Sequence, residues 1–152
     1  MRLSTKARYG VRALCALALM SKDGSPVSLA RLSEQENISK DYLNLIFHKL
    51  RKSGFVEAER GLNGGFKLAK SPTEITVAAV IRALDGPIAP VGCLLPPGKS
   101  AASRCKRKSG CLSRPAWVRL QRQIETTLDS ITIYSLITGE DPTPAGFDGF
   151  SI

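Results

Sequence analysis

The stretch from Ser28 to Leu68 constrains the fold more tightly than any other part of the chain. Ser28 is an N-cap residue ahead of a short helix, Leu29 to Gln35, and Glu36-Asn37 supplies a tight turn. Ser39 caps a further helix running to about Ser53, in which Leu43, Ile46, Phe47 and Leu50 recur at i, i+3, i+4 and i+7. That spacing is one buried stripe, and Lys40, Asp41, Asn44, His48, Arg51 and Lys52 fall off it. Gly54 ends the helix, and residues 55–60 alternate weakly as a strand. Gly61-Leu62-Asn63-Gly64-Gly65 is a turn carrying the Asn-Gly hairpin signal, and residues 66–68 return. Helix, tight turn, helix and hairpin in this order spell a winged helix-turn-helix.

The flanking segments are helical. Thr5 is the expected cap of a helix over residues 5–21, with Val11, Leu14 and Ala18 at helical spacing and Cys15 on the same apolar side as a core residue. Thr76 caps a helix to about Leu84, which Asp85-Gly86-Pro87 stops. Pro115 opens a long helix at a position where proline loses no hydrogen bond. Trp117, Leu120, Ile124, Leu128 and Ile131 form its apolar stripe; Arg119, Arg122, Glu125 and Asp129 form the other face. Such a stripe beyond a small domain must be covered, and the same helix of a second copy is the expected cover; packing back on its own domain is the alternative. Thr132 caps a last short helix to about Thr138. The expected architecture is mainly α with a small β-hairpin wing. A winged helix-turn-helix domain spans 1–86, a cysteine-rich cluster-binding loop 87–114, a dimerisation helix 115–138 and a loosely held tail 139–152.

The chain of 152 residues carries 22 basic and 13 acidic residues, a net charge of +9 that points to an anionic partner. Nucleic acid and an acidic membrane surface both answer to that charge; in a winged helix the expected partner is double-stranded DNA, with a winged helix used for protein contacts as the alternative. Ser39 presents the first turn of its helix, from which Lys40, Asp41 and Asn44 reach toward base edges. Lys49, Arg51, Lys52, Lys67 and Lys70 suit phosphates, which give affinity without sequence information. Arg60 stands where strand meets turn and suits a minor groove; Gly61, Asn63 and Gly64 beside it allow close approach of backbone to DNA. His48 reads as a surface residue and not a ligand.

Cys93, Cys105 and Cys111 are spaced C-x11-C-x5-C in a stretch rich in Pro, Gly, Ser and cations and free of acids. Such a stretch is expected to be a loop ordered by what it binds. Three thiolates suit zinc or an iron–sulfur cluster, and the cations around them lower thiol pKa and offset thiolate charge. The apolar run Val11 to Met20 includes Arg12 and is too short to span a bilayer, so no membrane association and a cytoplasmic location are expected. In a reducing compartment clustered cysteines serve metal or redox chemistry more than disulfide staples.

Several segments together are specific. Met1-Arg2-Leu3-Ser4-Thr5-Lys6-Ala7-Arg8-Tyr9-Gly10, Ile38-Ser39-Lys40-Asp41-Tyr42-Leu43, Arg60 to Phe66, Val80 to Pro87, and Cys111-Leu112 followed by Trp117 resemble the Rrf-two family of bacterial winged-helix regulators. The resemblance covers residues 1 to about 138. It implies a homodimer with the long helix at its interface and an iron–sulfur cluster, 2Fe–2S or 4Fe–4S, held by the three cysteines. Related members complete the ligand set with a histidine three residues after the last cysteine or an acid near the N-terminus. Arg114 and Arg8 stand at those places here, and arginine has no free lone pair to give a metal.

The expected function is therefore a DNA-binding transcriptional regulator, of repressor type, whose DNA affinity follows an iron–sulfur cluster that senses cluster status, redox state or nitric oxide. A thiol/disulfide regulator of the same fold and a zinc-stabilised interaction module are the alternatives. An enzyme is not expected, because no nucleophile triad, P-loop or dinucleotide fingerprint is present.

Overall fold

The computed structural model describes residues 3–21, 23–61, 64–96, 105 and 109–140. Helix α1 spans Thr5–Met20. Its cap is Ser4 and not Thr5: Ser4 is extended (ψ 156°) and its hydroxyl accepts from the Ala7 amide at 3.1 Å, whereas Thr5 is already helical. The buried face of α1 is built largely from alanines and leucines, with Gly10 among them. A Cβ at Gly10 would collide with the Leu84 side chain, so this helix crosses its neighbour at close range.

Ser28 caps α2 (Leu29–Glu36), and Asn37, in the left-handed region at φ 51°, ends it. Ser39 then caps α3 (Lys40–Lys52). Leu43, Ile46, Phe47 and Leu50 are all fully buried, as the stripe requires. Strands β1 (Val56–Glu59) and β2 (Gly65–Leu68) pair antiparallel, Val56 opposite Leu68 and Glu59 opposite Gly65. Val27 joins them: it exchanges two backbone hydrogen bonds with Phe66, each 2.8 Å, and so ties the hairpin to the start of α2. A Cβ at Gly65 would strike the Val27 carbonyl, so that join depends on glycine there.

Helix α4 (Val77–Asp85) starts at Thr76, and α5 (Arg114–Ser130) and α6 (Ile133–Thr138) close the described chain. The main core gathers Leu14 and Leu17 of α1, Leu32 of α2, the α3 stripe, Val80 and Leu84 of α4, and Ile133 of α6. Fully burying a side chain such as Ile133 contributes about 1.5–3 kcal/mol, enough to hold so short a helix in place. A second cluster of Ala7, Val77, Ala78, Ile81 and Ile88 receives Ile124 and Leu128 of α5 and Ile131 just after it. The long stripe thus divides. Its C-terminal half lies on the protein's own α1 and α4, while Trp117 and Leu120 remain 39% and 42% exposed.

The C-terminal half of α5 is fastened by polar bonds as well. Arg82 of α4 donates to both carboxylate oxygens of Asp129 at 3.0 and 2.9 Å, and Glu125 lies 3.7 Å from the same guanidinium. The pair holds the Asp129 carboxyl below its ordinary pKa of 3.8. The Val77 amide donates to the Ile131 carbonyl at 2.8 Å and the Ile133 amide to the Ile75 carbonyl at 2.9 Å. Gln121 donates to the Ile88 carbonyl at 2.8 Å. Among the described residues, no helix is long and apolar enough to cross a membrane.

Candidate nucleic-acid interface and cysteine segment

The outward face of α3 is set by its inward one. With Leu43, Ile46, Phe47 and Leu50 buried, the helix period turns Lys40, Asp41, Asn44, His48, Lys49, Arg51 and Lys52 to solvent, and each is exposed. Ser39 is exposed too, its hydroxyl occupied as acceptor from the Tyr42 amide at 3.3 Å. It orders the first turn and leaves base contact to its neighbours. The basic residues Lys49, Arg51 and Lys52 crowd the last turn, where they also complement the helix dipole.

Leu45 was not among the residues singled out in the sequence, yet it is 63% exposed on the same face, beside Asn44. Its signal was legible: it is a leucine that misses the buried stripe. An exposed aliphatic side chain on such a face suits the methyl group of thymine.

The hairpin stands next to α3, and Phe66 of β2 meets Phe47 of α3 edge to face with ring centroids 4.9 Å apart. Arg60 is exposed at the end of β1, and Gly61, at φ 119°, starts the turn. The Gly64 amide donates a hydrogen bond of 3.0 Å to the Gly61 carbonyl and closes it. Asn63 lies outside the described residues. Lys67 is engaged by Glu57 at 3.3 Å and by Glu59, which raise its pKa. Lys70 lies over the Phe55 ring, its ammonium 5.6 Å from the centroid. The structure therefore gives Lys67 internal partners and leaves Arg60 outward.

The cysteine segment is partly ordered by itself. Cys93 sits in a single 3-10 turn, Gly92–Leu94, where a plain loop was expected; Val91 and Gly92 carbonyls accept from Leu94 and Leu95. Cys105 is exposed, and Cys111 lies just ahead of α5. The Ser113 hydroxyl, 3.3 Å from the Cys111 sulfur, stabilises the thiolate, and the Arg114 guanidinium adds to it, so this thiol is more acidic than usual. Arg114 keeps its Nε buried with no hydrogen-bond partner among the described residues. All four cysteines are free thiols, and among the described residues no three His, Cys, Asp or Glu side chains converge as metal ligands would. The donor chemistry, three thiols of which one is acidified, fits a soft metal or an iron–sulfur cluster.

Cys15 is the opposite case. It lines a cavity of about 510 Å³ among Val11, Leu19, Met20, Glu36 and Leu136. Burial, with help from the Glu36 charge, pushes its thiol up to about 11. Reactivity follows the thiolate, so Cys111 is expected to alkylate first and Cys15 about 100-fold more slowly at pH 7.5. Mass spectrometry of iodoacetamide-treated protein checks the order; faster labelling of Cys15 would contradict the placement of α1.

Comparison with known proteins decides the family. The family model described as "Iron-dependent Transcriptional regulator", Rrf2, matches residues 3–139. The chain belongs to the Rrf2 family. It is 40% identical over 147 residues to the HTH-type transcriptional regulator IscR of Yersinia enterocolitica, covering 93% of this chain and 82% of that one. Among solved structures, CymR of B. subtilis, described as a global cysteine regulator, superposes with a TM-score of 0.72 at 32% identity, over 93% of this chain and 99% of that one. The IscR of T. potens gives 0.71 at 31% identity, over 93% and 89%. The Rrf2 relatives are named transcriptional regulators, and the mainly helical fold with a two-stranded hairpin agrees with theirs.

Proposed function

We propose that this Rrf2 protein is a homodimeric regulator that reads double-stranded DNA with α3 and the hairpin, and whose DNA affinity is controlled by an iron–sulfur cluster on Cys93, Cys105 and Cys111. The observation that carries the reading is the position of the acidified Cys111 directly before α5, the helix whose far end is bonded to the α3-bearing body. A change at the thiols is thereby connected to the DNA-reading elements through a single helix.

On the DNA side, α3 enters the major groove with Lys40, Asp41, Asn44 and Leu45 toward bases and Lys49, Arg51 and Lys52 toward phosphates. Arg60, with Gly61, Asn63 and Gly64 around it, enters the adjacent minor groove. Trp117 and Leu120 leave an uncovered apolar strip, and the same helix of a second copy covers it; Ile124, Leu128 and Ile131 form the border between that contact and the protein's own core. Two copies give a site of approximate two-fold symmetry. On the sensing side, the three thiolates would hold the cluster, which supplies redox and ligand-exchange chemistry, in 2Fe–2S or 4Fe–4S form. Arg114 and Arg8 stand where related members supply a further ligand and have no free lone pair to give, so a fourth ligand would have to come from elsewhere. The units 1–86, 87–114, 115–138 and 139–152 then serve as reader, sensor, dimer helix and tail.

A second reading is a thiol switch without a cluster. It is favoured by the acidified Cys111 thiol, because the thiolate is the form that reacts with oxidants and disulfides. Anaerobic purification separates the two: a brown protein with visible absorption and acid-labile sulfide supports the cluster, and a colourless protein whose DNA binding follows disulfide formation supports the switch. The DNA reading has its own test. Arg60→Ala is expected to weaken binding to a duplex selected by the parent by about 1–3 kcal/mol, measured by fluorescence anisotropy. Parental affinity in that variant would remove Arg60 from the site.

A further inference from the structure

Arg12 interrupts the apolar run of α1, and its side chain is half exposed. Its polar contacts go to one residue of another helix. Arg12 Nε donates to the Glu36 carboxylate at 3.0 Å, and a terminal nitrogen lies 2.9 Å from the same carboxylate oxygen. That nitrogen also donates to the Glu36 main-chain carbonyl at 2.9 Å. Glu36 is the last residue of α2, so its carbonyl is one of those that a helix leaves without an amide of its own. Arg12 thus caps the C-terminus of α2 from α1, where a cation also complements the helix dipole.

The guanidinium has a second neighbour. It lies over the ring of Tyr9, one turn earlier on the same face of α1, 5.4 Å from the centroid. Tyr9 in turn meets Tyr42 edge to face, with centroids 5.9 Å apart and ring planes at 88°. Tyr42 stands in the first turn of α3, and its amide is the one that Ser39 caps. Arg12 and Tyr9 therefore hold both ends of the α2–α3 connection: the last carbonyl of α2 and the first turn of α3. Asn37, Ile38 and Ser39 lie between them. Within the connection the Ser33 hydroxyl donates to the Ile38 carbonyl at 2.7 Å, which fixes its shape. The contacts from α1 fix where that shape is seated.

We propose that Arg12, acting through Glu36 and Tyr9, is a positioning residue for DNA sequence selection: it seats the first turn of α3 on α1 and touches no DNA itself. This rests on the DNA-binding reading above. Base contacts from Lys40, Asp41 and Asn44 depend on the pose of that turn, whereas phosphate contacts from long basic side chains tolerate a shift. Loosening the seat therefore lowers selectivity and spares affinity for DNA in general.

The experiment compares two duplexes on the full chain, one selected by the parent from a random library and one of random sequence. Fluorescence anisotropy reads both between about 50 and 200 mM salt. Arg12→Gln and Tyr9→Leu are each expected to weaken the selected duplex about 5- to 10-fold, as a poor base match does, while the random duplex keeps its affinity and salt slope. The double variant should lose little more than either single one, because both changes break one chain of contacts. Arg12→Lys keeps the charge but loses the planar fork, and is expected not to restore selectivity. The Tyr42 amide of free Arg12→Gln is expected to exchange with solvent deuterium faster than the parent's, with that of buried Leu50 unchanged.

Four results overturn the proposal. Equal weakening of both duplexes with a salt slope shallower by about one means that Arg12 holds a phosphate itself. Unchanged selectivity in Arg12→Gln, with or without a lower melting temperature, means a tie that serves the fold alone. Full selectivity in Arg12→Lys means that charge at the end of α2 suffices. Additive losses from the two single changes, or equal exchange at Tyr42, break the link between Arg12 and the first turn of α3. A parent that prefers no duplex sequence overturns the DNA reading itself and this one with it, a result distinct from the others because it is seen before any substitution.

Discussion

Phe47→Ala is expected to lower stability by about 3–5 kcal/mol, a large share of what a domain of this size possesses. Phe47 is fully buried, and it meets the wing directly, through Phe66. Removing the ring opens a cavity between the reading helix and the hairpin, and the neighbours around it belong to different elements and cannot all collapse into it. Urea titration followed by circular dichroism reads the loss, and Phe47→Leu is expected to retain most of the stability. DNA affinity of the folded fraction should also fall, because the wing loses its bearing on α3. A loss below about 1 kcal/mol would mean that the two elements are held together elsewhere.

The second large effect concerns the sensor. Cys93→Ala, Cys105→Ala and Cys111→Ala are each expected to abolish cluster loading after reconstitution with iron and sulfide, while Cys15→Ala loads normally. A cluster left with two protein thiolates loses one of the three anchors that hold it, whereas Cys15 lies with its neutral thiol in a cavity lined by α1, α2 and Leu136. Visible absorption and iron content read the outcome. In the loaded parent, DNA affinity is expected to differ from that of the apo protein, and in the three variants the difference should vanish. Normal loading in Cys105→Ala would exclude it as a ligand. Equal DNA affinity with and without iron and sulfide would separate the cysteines from DNA control.

Much of the fold was legible in the sequence because it is written in local patterns. Ser28, Ser39, Thr76 and Thr132 cap the helices they were expected to cap, and Asn37 takes the left-handed turn between α2 and α3. The α3 stripe is buried residue for residue. What was not legible is long-range. The exchange of bonds between Val27 and Phe66, the bridge between Thr76 and Thr132 and the seating of Ile133 in the main core join positions far apart in the chain, and no spacing rule announces them. At the start of α1 the expected cap was Thr5, and backbone geometry makes Ser4 the cap instead.

The fastening of α5 has a consequence for how such a scaffold diversifies. Two of the bonds that secure its end, from Val77 to Ile131 and from Ile133 to Ile75, are main chain to main chain. They place no demand on side-chain identity, and the hydrophobic neighbours Ile124 and Leu128 ask only for bulk. The opposite end, beginning at Cys111 and Arg114, carries the chemically particular residues. Under the sensing role proposed above, ligands could be exchanged or lost at that end without loosening the joint at the other. A chain that superposes equally well on a cysteine regulator and on an IscR is what such a division of labour would leave behind.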